Sequence, residues 1–261
     1  MSKSVSIMVA AHKEYEFPSD SGYLPIHVGR ALAREKLDIV GDDTGENISH
    51  LNRSFCELTG LYWLWRNHKS DFYGLTHYRR YFRSLSDNGL SLAGKQVLSS
   101  EQLIKQLENY EILLSKPRNY WIESVRKHYE NAHNASDLAV LQKVVSELYP
   151  SYDKAFDRVM ARRSVCLYNM FFMRAELFHS YCQWLYSILF EVEKRIPYQS
   201  YGNYQGRVFG FMAERLLNVW VEKNIPTEKI KYLPVVNLEG ENLIKKAFGL
   251  LARKFKGVKQ A

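Results

Sequence analysis

Four consecutive residues, His77-Tyr78-Arg79-Arg80, place an imidazole, a phenol and two guanidiniums at the end of the apolar run Phe72-Tyr73-Gly74-Leu75. A guanidinium is a permanent cation with a planar fork of donors, matched to two phosphate oxygens at once. A buried strand ending in such residues delivers them to its carboxyl edge, where open α/β sheets hold ligands. The chemistry this supports is capture of a diphosphate, with Arg79 and Arg80 as the cations on it. The plain alternative is that Arg79, Arg80 and Arg83 solvate a surface loop.

Other chemically able residues recur at the ends of apolar runs. Val5 to Ala11 is continuous and apolar, as in a strand buried on both faces, and it ends in His12-Lys13. Gly41 through Ser49 is rich in Gly, Asp and Asn and reads first as a turn. Its Asp42 and Asp43 are also able to accept hydrogen bonds from a base or ribose, but they are adjacent and lack the spacing of a Mg²⁺ site. Asn169 lies inside the apolar run Cys166 to Met173, where a buried amide must find partners. It serves either a structural bond or the hydroxyls of a sugar. Gln205, Arg207 and Glu214 fall at or near the start of a helical pattern, and a helix N-terminus favours anions. Glu214 is then an ion-pair partner or a general base. His128, Tyr129 and His133 have no carboxylate or Cys to complete a metal set, so the excursion around them reads as a lid for a second substrate.

These residues need a frame. Strands are predicted at Val5 to Ala11, Leu37 to Val40, Phe72 onward, Glu111 to Leu114, Cys166 to Met173 and Lys231 to Val236. Tyr15 to Pro25 is predicted as irregular loop, and Gly29 to Lys36 as a short helix. Phe55, Leu58, Tyr62 and Trp65 share one face of a helix that Asn52 caps. Ser99 and Gln102 form a capping-box signature. Pro150 and Pro197 stop the helical patterns before them. Strands alternating with helices predict an α/β fold with a mostly parallel sheet. The 46% hydrophobic fraction marks a folded chain, and a net charge of +8 favours anionic partners. Three scattered cysteines, Cys56, Cys166 and Cys182, fit a reducing, cytoplasmic setting. No run is long or apolar enough for a signal peptide or a membrane span.

Taken in order, the runs Gly41 to Ser49, Cys56-Glu57-Leu58-Thr59-Gly60-Leu61-Tyr62-Trp63, His77-Tyr78-Arg79-Arg80-Tyr81-Phe82, Asn169-Met170-Phe171 and Gln205 to Leu216 resemble a family of bacterial capsule and O-antigen biosynthesis proteins. That family was long catalogued as a domain of unknown function. The resemblance covers roughly Val5 to Trp220. It implies a GT-A-like, Rossmann-like glycosyltransferase domain over residues 1–240. It also implies inverting transfer of a hexose, with galactofuranose from UDP-galactofuranose as the leading donor, to a lipid-linked glycan. GT-A enzymes hold a metal with an Asp-x-Asp motif; here His77-Tyr78-Arg79-Arg80 stands at that strand end, which implies metal-independent transfer without a cofactor. The resemblance puts Asp42 and Asp43 on the uridine and Asn169 on the sugar, and makes Glu214 the base. His12, Lys13, Asn47, His77, Tyr78, Gln205 and Arg207 complete the expected donor site.

Residues 241–261 form a separate basic amphipathic tail. Leu243, Ile244, Ala247, Phe248, Leu251 and Phe255 share one helical face, and Lys245, Lys246, Arg253, Lys254 and Lys256 lie mostly elsewhere. Such a helix suits the inner face of the cytoplasmic membrane or, equally, the protein's own core. Two other functions fit parts of this sequence. A nucleic-acid binder would use the charge and the aromatics, but no RNA or DNA module is present and nucleic acid is not expected as a partner. A glycoside hydrolase needs two facing carboxylates, and no such pair stands out.

Overall fold

The computed structural model describes residues 3–239. Its strands, in chain order, are β1 (Val5–Ala11), β2 (Tyr23–His27), β3 (Val40–Gly41), β4 (Phe72–His77), β5 (Arg80–Phe82), β6 (Leu90–Leu92), β7 (Lys95–Val97), β8 (Ile112–Ser115), β9 (Arg118–Asn119), β10 (Ser164–Val165), β11 (Phe171–Arg174), β12 (Ile230–Leu233) and β13 (Val235–Asn237). The α-helices are α1 (Asn52–Phe55), α2 (Leu58–Asn67), α3 (Ser100–Gln106), α4 (Val125–Ala132), α5 (Ala135–Leu148), α6 (Asp153–Ala161), α7 (Ala175–Glu193) and α8 (Val208–Asn224).

Nine strands form one sheet in the order β12-β8-β11-β4-β1-β2-β3, with β5 bonded to β4 and β13 to β5. β1 runs parallel to β2 and β4, β2 to β3, and β12 to β8, while β11 runs antiparallel between β8 and β4. The mostly parallel sheet flanked by helices is the α/β architecture expected. β4 is central, so its carboxyl end opens beside that of β1.

Alternation along the strands divides the core in two. Met8, Ala10, Tyr73, Leu75, Leu114 and Phe171 face a large cluster built with α2 and α4 to α8. Ile7, Val9, Phe72, Leu113 and Phe172 face a smaller one with β5, β7 and α3. Period-two packing on both faces accounts for the uninterrupted apolar runs in β1 and β4. The capping box at α3 forms in both directions, with Ser99 accepting from Gln102 N at 3.2 Å and Gln102 Oε1 accepting from Ser99 N at 2.9 Å.

Several expected elements differ. The second strand is Tyr23–His27, which begins inside the Tyr15 to Pro25 segment expected to be loop and runs two residues past it, and the 37–40 run contributes only Val40. Pro25 fits there because alternate residues, from Gly22 to Val28, bond β1, which turns position 25 toward β3. β3 reaches only Ile26 and His27, so no ladder bond is lost at Pro25. The expected helix from Gly29 is one 3₁₀ turn, Arg30–Leu32. The single helix expected from Asn52 is broken at Cys56 and Glu57; Asn52 does not cap it but donates to Cys56 O at 2.7 Å and Thr59 Oγ1 at 3.0 Å. Only the end of the 166–173 run is strand, and Pro234 divides the 231–236 run between β12 and β13. The amphipathic tail lies outside the described residues. Among the described residues no helix is long and apolar enough to cross a membrane.

Candidate active site

A cavity of about 650 Å³ opens at the carboxyl ends of β1 and β4, a volume suited to a small organic ligand. Separate pieces of chain build it. The end of β1 gives His12 and Lys13; the β4–β5 turn gives His77, Tyr78, Arg79 and Arg80. The α1–α2 break gives Asn52, Arg53, Cys56 and Glu57, and the entry to α8 gives Asn203, Arg207 and Glu214. Tyr168, in the turn before β11, closes the wall.

Backbone register explains the placement. Ala10 pairs with His77, and Tyr78 N donates to Ala10 O at 3.1 Å, so the two strand ends stay level. His77 then pairs across the turn with Arg80, leaving Tyr78 and Arg79 at the tip. The antiparallel β11 brings Tyr168 beside His77, whose Nε2 lies 2.6 Å from Tyr168 O. A carbonyl only accepts, so Nε2 carries the proton and Nδ1 is the free acceptor of the neutral ring. Burial lowers the His77 pKa against the pull of Glu57; burial, then Lys13 and Arg79, lowers that of His12. Both rings are neutral near pH 7.

Five cations line the cavity, Lys13, Arg53, Arg79, Arg80 and Arg207, against two carboxylates, Glu57 and Glu214. Arg79 is held by Glu239 at 2.8 Å, which Lys13 also approaches at 3.8 Å. Arg80 lies over the Tyr168 ring at 4.5 Å, and among the described residues no carboxylate pairs with it. Its Nε is buried and finds no hydrogen-bond partner within the protein. Arg207 donates to Cys56 Sγ at 3.4 Å. The site therefore carries excess positive charge at the tip of β4, which is what a diphosphate requires.

Glu214 accepts from Tyr168 N at 2.8 Å and from Arg215 Nη1 at 2.9 Å, two contacts that fix its direction. Burial raises its pKa above the usual carboxylate range, with Arg215 and the Tyr168 N–H opposing. A poised, oriented carboxylate of this kind is suited to taking a proton.

Strain collects in these walls. Tyr168 (φ +74°) and Asn169 (φ +54°) form a left-handed turn, and Cys56 (φ +53°, ψ −131°) occupies a region that side chains avoid. Each costs on the order of 1–3 kcal/mol, and such residues cluster at functional sites. The Cys56 kink turns Glu57 into the cavity wall, and the Asn169 turn presents Nδ2 to Glu57 Oε1 at 2.8 Å. Burial pushes the Cys56 thiol up to about 11, so it is no nucleophile at neutral pH.

Not every expected residue reaches the cavity. Asp42 is fully buried, and its carboxylate accepts from Gly29 N, Arg30 N, Ser49 Oγ and Thr59 Oγ1 at 2.5 to 3.1 Å. It fastens the β3 end to the segment that follows β2 and has no face for a uridine. Asp43 pairs with Arg30 at 3.4 Å and Lys36 at 3.8 Å, away from the cavity lining. Asn47 serves its own turn, bonding Gly45 O and Ser49 N. Asn169 is 1% exposed and absent from the cavity lining; its Nδ2 donates to Glu57 Oε1 and Gly210 O, so it holds a carboxylate of the wall, while its Oδ1 is buried without a partner among the described residues. Gln205 bonds His133 and Ala132 O outside the lining. Sequence reasoning assigned no role to Glu57, Arg53 or Asn203. The acid beside a cysteine in the motif around Cys56 was the signal for Glu57. Among the described residues no group of three or more His, Cys, Asp or Glu is placed to hold a metal ion.

Residues 6–225 match the profile of a family described as a domain of unknown function, DUF4422. A solved apo structure of the WbbM bifunctional glycosyltransferase is similar to the chain, with a TM-score of 0.82 and 31% identity. The match covers 91% of this chain and 46% of that one, so the chain spans just under half of that relative. The fold is thus GT-A-like, as the α/β sheet suggested. No curated protein matches the chain.

Proposed function

We propose that this chain, which belongs to the DUF4422 family, is a sugar-nucleotide-dependent glycosyltransferase. The substrates proposed are UDP-galactofuranose as donor and a lipid-linked glycan as acceptor, in the assembly of a bacterial surface polysaccharide. The observation that carries the reading is the cation-lined cavity at the ends of β1 and β4, with Arg80 uncompensated and Glu214 in the same wall. Similarity to a bifunctional glycosyltransferase supports the reaction class.

The chemistry follows from those groups. The acceptor hydroxyl oxygen attacks the anomeric carbon and forms the new glycosidic bond. Glu214 takes the hydroxyl proton. The bond from that carbon to the diphosphate breaks, its electron pair leaves with UDP, and the configuration inverts. Charge grows on the leaving diphosphate, where preorganised cations act most strongly. Arg80 and Arg207 meet it directly, and Arg79 exchanges Glu239 for a phosphate oxygen. In this scheme guanidiniums supply the positive charge, and transfer needs no metal. His12, Lys13, His77 and Tyr78 shape the donor side.

The test is incubation of the purified chain with UDP-galactofuranose and a lipid-linked acceptor, reading glycosylated product and free sugar separately. Product with inverted configuration and little free sugar supports transfer. Free sugar alone would assign a hydrolase, and no turnover with any UDP-sugar would remove the reading.

A further inference from the structure

The loop after β9 exposes two large apolar side chains side by side, Trp121 at 78% and Ile122 at 67%. It is not a loose end. Tyr120 N donates to Arg163 O at 2.7 Å, Val125 N to Arg162 O at 2.7 Å, and Trp121 N to Asn119 Oδ1 at 2.7 Å. β9 also pairs with β10 through Val165↔Arg118 and Ser164↔Asn119. Trp121 nevertheless has φ +62°, a left-handed conformation costly for a bulky residue. The fold thus holds an exposed Trp in strain and gives it no packing in return.

Its surroundings are basic. Residues 116–123 and 161–165 contain Lys116, Arg118, Arg162 and Arg163 against one carboxylate, Glu123, which is engaged by Asn131 at 2.9 Å and approached by His128 at 3.3 Å. Arg162 is engaged by Glu222, but Lys116, Arg118 and Arg163 are exposed and have no ion-pair partner among the described residues. Trp prefers the water–membrane boundary, where its ring is buried and its N–H stays wet. Lysine and arginine beside it meet anionic headgroups.

We infer that the β9–β10 tip, with Trp121 and Ile122 as wedge and Lys116, Arg118 and Arg163 as rim, docks on the anionic surface of a lipid bilayer. Charge complementarity favours this occupant over a second copy of the chain, whose net charge of +8 would repel the same rim. The tip continues inward to Tyr120, which stacks on His128 at 3.8 Å and whose phenol feels the charges of Arg215 and Glu214. The inference concerns binding alone and stands apart from the identity of the reaction.

The experiment is co-sedimentation of the full chain with vesicles of phosphatidylcholine, alone and mixed with phosphatidylglycerol, for wild type, Trp121→Ser/Ile122→Ser and Arg118→Glu/Arg163→Glu. The full chain carries its basic tail in every sample, so a change between variants reports the tip. Wild type is expected to bind the mixed vesicles and not phosphatidylcholine alone. Partitioning should fall about tenfold or more in the serine variant, and roughly fivefold per cation removed in the other. Emission of wild-type protein minus that of Trp121→Phe should shift to the blue on binding, a readout independent of folding losses. Absence of wild-type binding, equal binding by the variants, or a Trp121-dependent dimer without vesicles would each overturn the inference.

Discussion

Replacing Arg80 by alanine removes the cation at the tip of β4 that, among the described residues, no carboxylate neutralises. Arg79 is partly spent on Glu239 at 2.8 Å, and Arg207 is turned toward Cys56 Sγ at 3.4 Å. Among the described residues Arg80 has no ion-pair partner and lies over the Tyr168 ring at 4.5 Å, so its guanidinium keeps donors for a ligand. A charge-assisted hydrogen bond contributes about 1.5–3 kcal/mol, and loss of one donor to a developing oxyanion costs about 3–4. The expected loss in kcat/KM is about 2–4 kcal/mol, or roughly 30- to 1000-fold. Arg80→Lys keeps the charge but loses the fork and the ring stack, so it should fall between wild type and alanine. Stability should change little, because a cation–π contact at a partly open site is worth about 1 kcal/mol. The assay is nucleotide release coupled to product formation, with a melting curve for each variant. An Arg80→Ala protein that folds and keeps wild-type kcat/KM would refute the reasoning.

Three further outcomes are expected. Glu214→Gln should lower kcat by about 10²–10⁴ while leaving nucleotide affinity nearly unchanged, and wild-type kcat should rise with pH through a value above the usual carboxylate range, because the base must be ionised; equal kcat in the two proteins would transfer the role elsewhere, with Glu57 the next residue to test. Asp42→Ala removes the acceptor shared by four donors, of which Thr59 Oγ1 alone has a second one in Cys56 O, and should cost about 3–5 kcal/mol, read as a fall in Tm of roughly 10 °C with activity per folded molecule preserved; an unchanged Tm would contradict its bracing role. His133 is buried against Phe211 and its pKa is pushed down to about 3 by burial and Arg215, so the unfolded chain binds its proton first and stability is lost as pH falls from about 6.5 toward 3. Lowered values at His12, His27 and His77 act in the same sense, while the raised Glu214 and Asp137 oppose it lower in the range. The plot of Tm against pH should flatten in His133→Phe, and an unchanged slope would refute the assignment.

The sheet's centre was legible because β1 and β4 are packed on both faces and must be apolar throughout. Once β4 is placed, its polar terminus follows, and that brings His77, Tyr78, Arg79 and Arg80 to the cavity. β2 was hidden because Pro25 argues against a strand unless the neighbouring β3 is known to be only two residues long. Asp42 and Asn169 stayed open between a structural and a ligand-binding role for one reason. Each is a polar residue beside apolar runs, and sequence does not tell whether such a group faces a ligand or a buried backbone. The structure gives Asp42 four internal donors and Asn169 two internal acceptors. Glu57 went unassigned because the apolar spacing of Phe55, Leu58 and Tyr62 continues through the break at Cys56. A helical period does not register one residue with φ near +53°.

The central claim is that fixed guanidiniums at the tip of β4 take the place of a chelated ion on the nucleotide. It is tested most directly by calorimetric titration of UDP into wild type and Arg79→Ala/Arg80→Ala, each with EDTA and with Mg²⁺. The account predicts wild-type binding that is the same in EDTA and in Mg²⁺ and is weakened about 100-fold or more in the double variant. Binding that appears only with Mg²⁺, or that the double variant retains, would contradict it.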